Sequence, residues 1–140
     1  MIYVMELMAD PFEKIVSNEK TIELRLFDQK RRRLNVGDKI IFENHEDSKQ
    51  QIAVLVKSLH RYATFEELFM DFSPVRCGFA DTDNPKTAAA RMHQYYTEDQ
   101  IQKYGVLGIG IELDDVEAVL KEMEIQKENE FERIFPDGMK

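Results

Sequence analysis

The stretch EKTIELRLFDQKRRRLNVGDKI, residues 19–40, decides how this chain is read. From Thr21 to Leu26 it alternates, with Thr21, Glu23 and Arg25 against Ile22, Leu24 and Leu26. A period of two is that of a strand with one face buried. Four consecutive bases follow, Lys30, Arg31, Arg32 and Arg33. Val36-Gly37-Asp38 then sets a turn feeding a second strand over about 39–43.

Outward from this segment the chain alternates short strands and helices. Residues 2–7 (IYVMEL) read as a first strand. Asp10 is placed to cap a helix, with Pro11 at its first position, Glu13 at capping-box spacing, and Phe12, Ile15 and Val16 as its buried stripe. NHEDSKQ is a polar turn, and the apolar run 52–56 is a buried strand that extends through KSLHRY. Thr64 with Glu67 starts a short helix, and residues 73–84 form a loop. Asn84 and Pro85 open a helix to about Tyr95, and Thr97 with Gln100 opens another that ends at Gly105. In VLGIGIEL, Leu107, Ile109, Ile111 and Leu113 face a core, while Gly108 and Gly110 leave the other face open to a helix or a ligand. Val116, Val119, Leu120 and Met123 form the apolar stripe of a last, acidic helix. The strands do not alternate regularly with helices, so the reading is α+β with a curled sheet of five or six mainly antiparallel strands. Residues 1–114 form the domain, and 115–140 an acidic helix and tail.

The chain has 140 residues and net charge -8, an ordinary soluble composition long enough for one real core. The single cysteine, Cys77, excludes an internal disulfide and points to a reducing cytoplasm. No secretory leader or membrane span is expected. The charge is segregated: residues 20–39 carry a local +4 and residues 112–140 a local -6. Segregation lets an acidic protein attract phosphate locally. It also lets the two segments meet within the chain or in a homodimer.

His45, His60 and His93 stand far apart without ligand spacing, so no metal is expected, and no motif implies a cofactor. A Cys77–His93 dyad is conceivable on residue type, although a lone loop cysteine is usually a bystander. The face bearing Thr21, Glu23 and Arg25 is either a solvated surface with a weak ion pair or the wall of a cleft. On a wall, Arg25 would bind a phosphate or base edge, Glu23 would accept a base amino proton, and Thr21 would hydrogen-bond beside them. Lys20 stands at the strand entrance, where alternation does not fix its direction. Lys30 to Arg33 are either a solvated run or an electrostatic guide for a polyanion. Tyr95, Tyr96 and Tyr104 suit either core packing or base stacking.

Lys20-Thr21-Ile22-Glu23-Leu24-Arg25, ten residues after an Asp-Pro-Phe helix start and followed by Val36-Gly37-Asp38-Lys39-Ile40 and Phe42-Glu43-Asn44, resembles the ASCH domain family. Residues 95–113 look like the closing part of the same domain. The resemblance implies a PUA-like small β-barrel with helices around it and a cleft lined by the 20–25 strand, binding RNA or a nucleotide. Lys20, Thr21, Glu23 and Arg25 would contact that ligand, with Lys30, Arg31, Arg32 and Arg33 at the mouth and Tyr95 and Tyr96 beside it. The alternative is a hydrolase of a modified nucleoside. Some short superfamily members remove the acetyl group of N4-acetylcytidine with a Lys-x-x-Thr pattern; here Lys20 matches, but Glu23 stands where the nucleophile would be. Lys20 and Glu23 would then be the catalytic pair, as electrostatic stabiliser and general base.

Overall fold

A computed structural model describes residues 1–134. The strands are β1 (Ile2–Leu7), β2 (Ile22–Leu26), β3 (Lys39–Asn44), β4 (Asp47–Tyr62) and β5 (Val106–Asp114). The α-helices are α1 (Ala9–Val16), α2 (Phe65–Asp71), α3 (Pro85–Arg91), α4 (Glu98–Tyr104) and α5 (Val116–Ile134). The strands form one curled sheet in the order β1-β3-β4-β5-β2. β1 runs parallel to β3, and the other neighbours are antiparallel. The α+β reading with a barrel-like sheet holds, as a five-stranded half-barrel. A register shift between Val56 and Ser58 lets the long β4 bend without losing its pairing.

Three apolar layers follow from the strand alternation. Ile40, Phe42, Val54 and Ile109 fill the inside of the curl, which α1 plugs with Phe12 and Ile15. Ile22, Leu24 and Leu26 of β2 turn outward and pack with Leu68 of α2 and Ile101 of α4. On the outer face of β3 and β4, Ile41 and Ala53 are covered by Val119 of α5, with Val116, Leu120 and Met123 around it. The sheet is therefore covered on both sides, and the polar face of β2 points into the curl: Glu23 and Arg25 pair in register with the core residues Ile109 and Leu107.

Several local expectations need correction. The cap of α1 is Met8, because β1 ends at Leu7 and leaves one connecting residue; Asp10 lies in the first turn and pairs with Lys14 at 3.0 Å. Val16 and Leu113 are exposed rather than buried. The helix from Pro85 stops at Arg91 and tightens into a 3-10 turn, Met92–Gln94. The Gly108 face is open to a helix, not to a ligand: a Cβ there would lie 3.2 Å from Leu68 Cδ1 of α2. The capping boxes at Asn84/Thr87 and Thr97/Gln100 form fully, and Thr64 accepts from the Glu67 amide.

Candidate functional site

β1 and β2 are the two free edges of the sheet, so the curl is open between them. The opening is a cleft of about 770 Å³, bounded by β2, the start of α1, the loop at Cys77–Ala80 and the turn carrying Tyr95 and Tyr96. That size is in the usual range for a small-ligand site, about 300–1,000 Å³.

Glu23 forms the floor. Its Oε1 accepts from Lys20 Nζ at 2.8 Å and from the Leu24 amide at 3.1 Å. Its Oε2 accepts from Arg25 Nη2 at 2.8 Å and Nε at 2.9 Å. Four donors fill the roughly four lone-pair sites of a carboxylate. Glu23 and Lys20 are only 2% and 6% exposed. Burial pushes the Glu23 carboxyl up, but the charges and hydrogen bonds of Lys20 and Arg25 outweigh it and hold the carboxyl at about 2. Arg25 is held above its ordinary value: burial acts against its charge, and Glu23 more than offsets it. The bond to the Leu24 amide also satisfies a donor on the free edge of β2.

Arg25 does more than pair with Glu23. Its Nη2 donates to the carbonyl of Glu6 on β1 at 2.9 Å, so one guanidinium ties the two sheet edges together across the opening. Lys20 is positioned by Gly78, whose φ of +92° lets the loop lie against the lysine stem; a Cβ there would come to 3.0 Å from Lys20 Cδ. Lys14 Nζ fastens the same loop by donating to the Gly78 carbonyl at 2.8 Å.

Tyr95 and Tyr96 belong to the same lining. Tyr96 is half-buried and stacks on Phe65 at 6.1 Å between centroids, whereas Tyr95 is 45% exposed. Burial holds both hydroxyls above their ordinary value, so they stay protonated donors at neutral pH.

The ASCH domain family model matches residues 5–135. The chain belongs to the ASCH domain family. Among solved structures, the crystal structure of the hypothetical protein PH0355 is 32% identical, with a TM-score of 0.72 over 81% of this chain and 100% of that one. The solution structure of PF0455 from Pyrococcus furiosus is 30% identical, with a TM-score of 0.64 over 81% and 97%. The ASCH protein of Zymomonas mobilis overlays more loosely, with a TM-score of 0.44 at 17% identity over 80% of this chain and 66% of that one. No curated protein matches the chain.

In this ASCH domain Lys20, Glu23, Arg25, Tyr95 and Tyr96 line that cleft. Thr21 does not. It precedes β2, and its hydroxyl accepts from Arg76 Nε at 3.1 Å outside the cleft lining. Lys30, Arg31, Arg32 and Arg33 also fall outside that lining, because β2 carries the chain past the cleft before they turn off as a 3-10 segment, Arg31–Arg33. Arg31 pairs with Asp28 at 3.2 Å, and Arg32 lies over Phe27. Cys77 is buried beside Lys20, its thiol pushed up to about 12 by burial, while His93 faces Glu98 at 3.8 Å, so the two form no dyad. The two charged segments meet within the chain at Lys39, which pairs with Asp114 at 3.4 Å and with Glu122 of α5 at 3.1 Å on the outer face. No described helix is long and apolar enough to cross a membrane.

Sequence reasoning missed Lys14, Gly78 and the Asp83–Arg91 pair at 3.0 Å, all of which line the cleft. Gly78 had a signal, a glycine in a loop, although nothing in the sequence tied it to Lys20. The other contacts join residues that only the fold brings together.

Proposed function

We propose that this ASCH domain binds a nucleobase in the cleft, presented by a nucleoside, a nucleotide or RNA. The observation that carries the reading is the inventory of donors on the floor. Glu23 is saturated, so it serves as a strut and not as an acceptor for a base amino group. Lys20 has three donors and spends one on Glu23; Arg25 has five and spends its Nε and both Nη2 hydrogens on Glu23 and Glu6. What remains for a ligand is the rest of Lys20 and Arg25 Nη1, a surface of donors only.

Such a surface takes a ligand edge rich in acceptors, such as a pyrimidine carbonyl or the O6/N7 edge of a purine. The exposed Tyr95 ring in the same lining offers a stacking face for the flat body of that ligand. The cleft is not a polyphosphate site. Its lining carries Lys14, Lys20, Arg25 and Arg91 against Glu6, Asp10, Glu23, Glu46 and Asp83, so there is no excess positive charge.

A hydrolytic role for Glu23 has little support. A carboxyl held at about 2 is a weak proton acceptor at neutral pH, and all its lone-pair sites are filled. Thr21 offers no nucleophile there, since its hydroxyl lies elsewhere.

The test is a calorimetric titration with the common nucleosides, N4-acetylcytidine and mononucleotides, with ligand mass checked afterwards. Saturable nucleoside binding with unchanged mass is expected. Tyr95→Ala should weaken it by about 1–3 kcal/mol, the usual worth of a base–aromatic stack, or roughly 5- to 150-fold. Absence of saturation at millimolar nucleoside, or undiminished affinity in Tyr95→Ala, would remove the reading.

A further inference from the structure

Two groups of cations stand in contrast among the described residues. Those lining the cleft are all engaged: Lys14 with Asp10, Lys20 and Arg25 with Glu23, and Arg91 with Asp83. At the other end of β2 the opposite holds. Arg32, Arg61 and Lys103 form no ion pair with any described carboxylate, and neither do Lys30 and Arg33 flanking the same turn. They are not randomly splayed. The guanidinium carbons of Arg32 and Arg61 lie 4.7 and 3.9 Å from the centroid of the Phe27 ring. Lys103 Nζ lies 5.2 Å over the ring of Tyr104. Phe27, Arg61, Lys103 and Tyr104 line one open depression of about 590 Å³, whose single carboxylate is Glu67.

Two guanidinium groups on one ring repel each other, and the attraction of each to the ring face offsets part of that cost. The result is a ledge of oriented, unneutralised cations on a protein whose net charge is -8. It lies on the same face of the sheet as Arg25 of the cleft. Across β2, β5 and β4, Arg25 pairs with Leu107 and Leu107 with Arg61, so both arginines lie on one sheet face. Their backbones are two strand spacings apart, about 10 Å.

We propose that the Phe27–Arg32–Arg61–Lys103 ledge holds the phosphates and adjacent bases of a single nucleic-acid strand, one base of which occupies the cleft. The inference rests on the nucleobase reading of the cleft for the class of ligand, and it selects an oligomer over a free nucleoside. The division of labour is physical. The cleft has spent its charges and reads a base edge; the ledge has kept its charges and holds the backbone. Guanidinium planes fixed on Phe27 can also stack on bases, which a lone lysine cannot do. An acidic protein segment would use the charges of the ledge but not its stacking planes or its place on the same sheet face as Arg25.

The experiment titrates the full chain with a labelled single-stranded RNA octamer of mixed sequence, and separately with free nucleosides, between 50 and 200 mM salt. For the wild type, octamer affinity should exceed nucleoside affinity and fall with salt, while nucleoside affinity stays nearly flat. Arg32→Ser/Arg61→Ser/Lys103→Ser should weaken the octamer at least tenfold and flatten its log–log salt slope by about 2, at roughly 0.7 per phosphate contact on a single strand. Nucleoside affinity should not change. Circular dichroism checks the fold of the triple variant, and the single exposed change Lys103→Glu should lower octamer affinity in the same direction. Equal octamer affinity in wild type and variants would overturn the ledge, as would displacement of the octamer by poly-glutamate at equal charge concentration, which would indicate an acidic protein partner. Failure of the base reading looks different: nucleosides do not bind, yet the octamer binds and depends on the ledge.

Discussion

At Glu23 four donors converge on one nearly inaccessible carboxylate, and the consequences belong to that residue. Glu23→Gln leaves Lys20 and Arg25 as buried cations without a counter-charge. Breaking a buried pair this way costs about 3–5 kcal/mol, which should appear as a lower urea midpoint. The pH dependence follows from the lowered carboxyl. Its folded value is about 2 against an ordinary 4.5, so the unfolded chain takes the proton first. The stabilisation is complete above pH 4.5 and is lost as pH falls from there toward 2. Urea midpoints measured across that window should fall in the wild type and change less in Glu23→Gln; parallel curves would mean Glu23 is not the titrating group. Gly78→Ala is a second test at this scale. A side chain at φ +92° costs about 1–2 kcal/mol for the left-handed backbone alone, and the new Cβ would press on Lys20. The variant should lose both stability and nucleoside affinity, whereas a loss of stability alone would show that Gly78 does not position Lys20.

Among the elements, α5 is the one whose role the charge distribution misrepresents. Its acids suggest a segment able to mask the basic run, yet it is docked by Val119 on Ile41 and Ala53 and by Glu122 on Lys39, which also meets Asp114. Val119→Ala should therefore destabilise the protein on the order of 2 kcal/mol, as other large-to-small core changes do. Amide exchange should speed up in α5 and in β3 beneath it, with nucleoside affinity preserved. A rise in affinity on undocking α5 would restore the masking idea. The resemblance to an ASCH domain covers residues 1–114, whereas the family model runs on to residue 135, through the whole described length of α5. A similar argument applies to β5 and α2. Gly108 lets Leu68 approach the sheet, so Gly108→Ala should cost about 1–3 kcal/mol by overpacking, measured as a fall in Tm, whereas an exposed change such as Lys57→Ala should leave Tm unchanged.

For the whole molecule, the half-barrel closes on itself through a side chain: Arg25 of one edge strand reaches the backbone of the other. Cys77 reports on that closure. It is buried between the cleft loop and the α2–α3 layer, with its thiol at about 12. A thiol reagent should label it only through opening of the structure, at a rate that rises with denaturant. Rapid labelling in native buffer, independent of denaturant, would mean that the cleft loop opens locally and often.

Much of the fold was legible in the residues themselves. The alternation in 21–26, the apolar run after residue 51, the glycines of β5 and the helix caps at Thr64, Asn84 and Thr97 each encode a local geometry, because hydrogen bonding and side-chain period act over a few residues. The family could be read for the same reason, since its motifs are local. What the sequence could not state is which way the polar face of β2 looks. A period of two separates two faces but does not say which faces solvent, and here neither does: one meets the helices and the other the inside of the curl. Only the tertiary fold buried the Lys20–Glu23–Arg25 cluster, set Arg25 against Glu6, and carried Lys30 to Arg33 away from the cleft. Those outcomes depend on how edge strands meet across the opening of a curled sheet, a relation between residues far apart in the chain that no local pattern records.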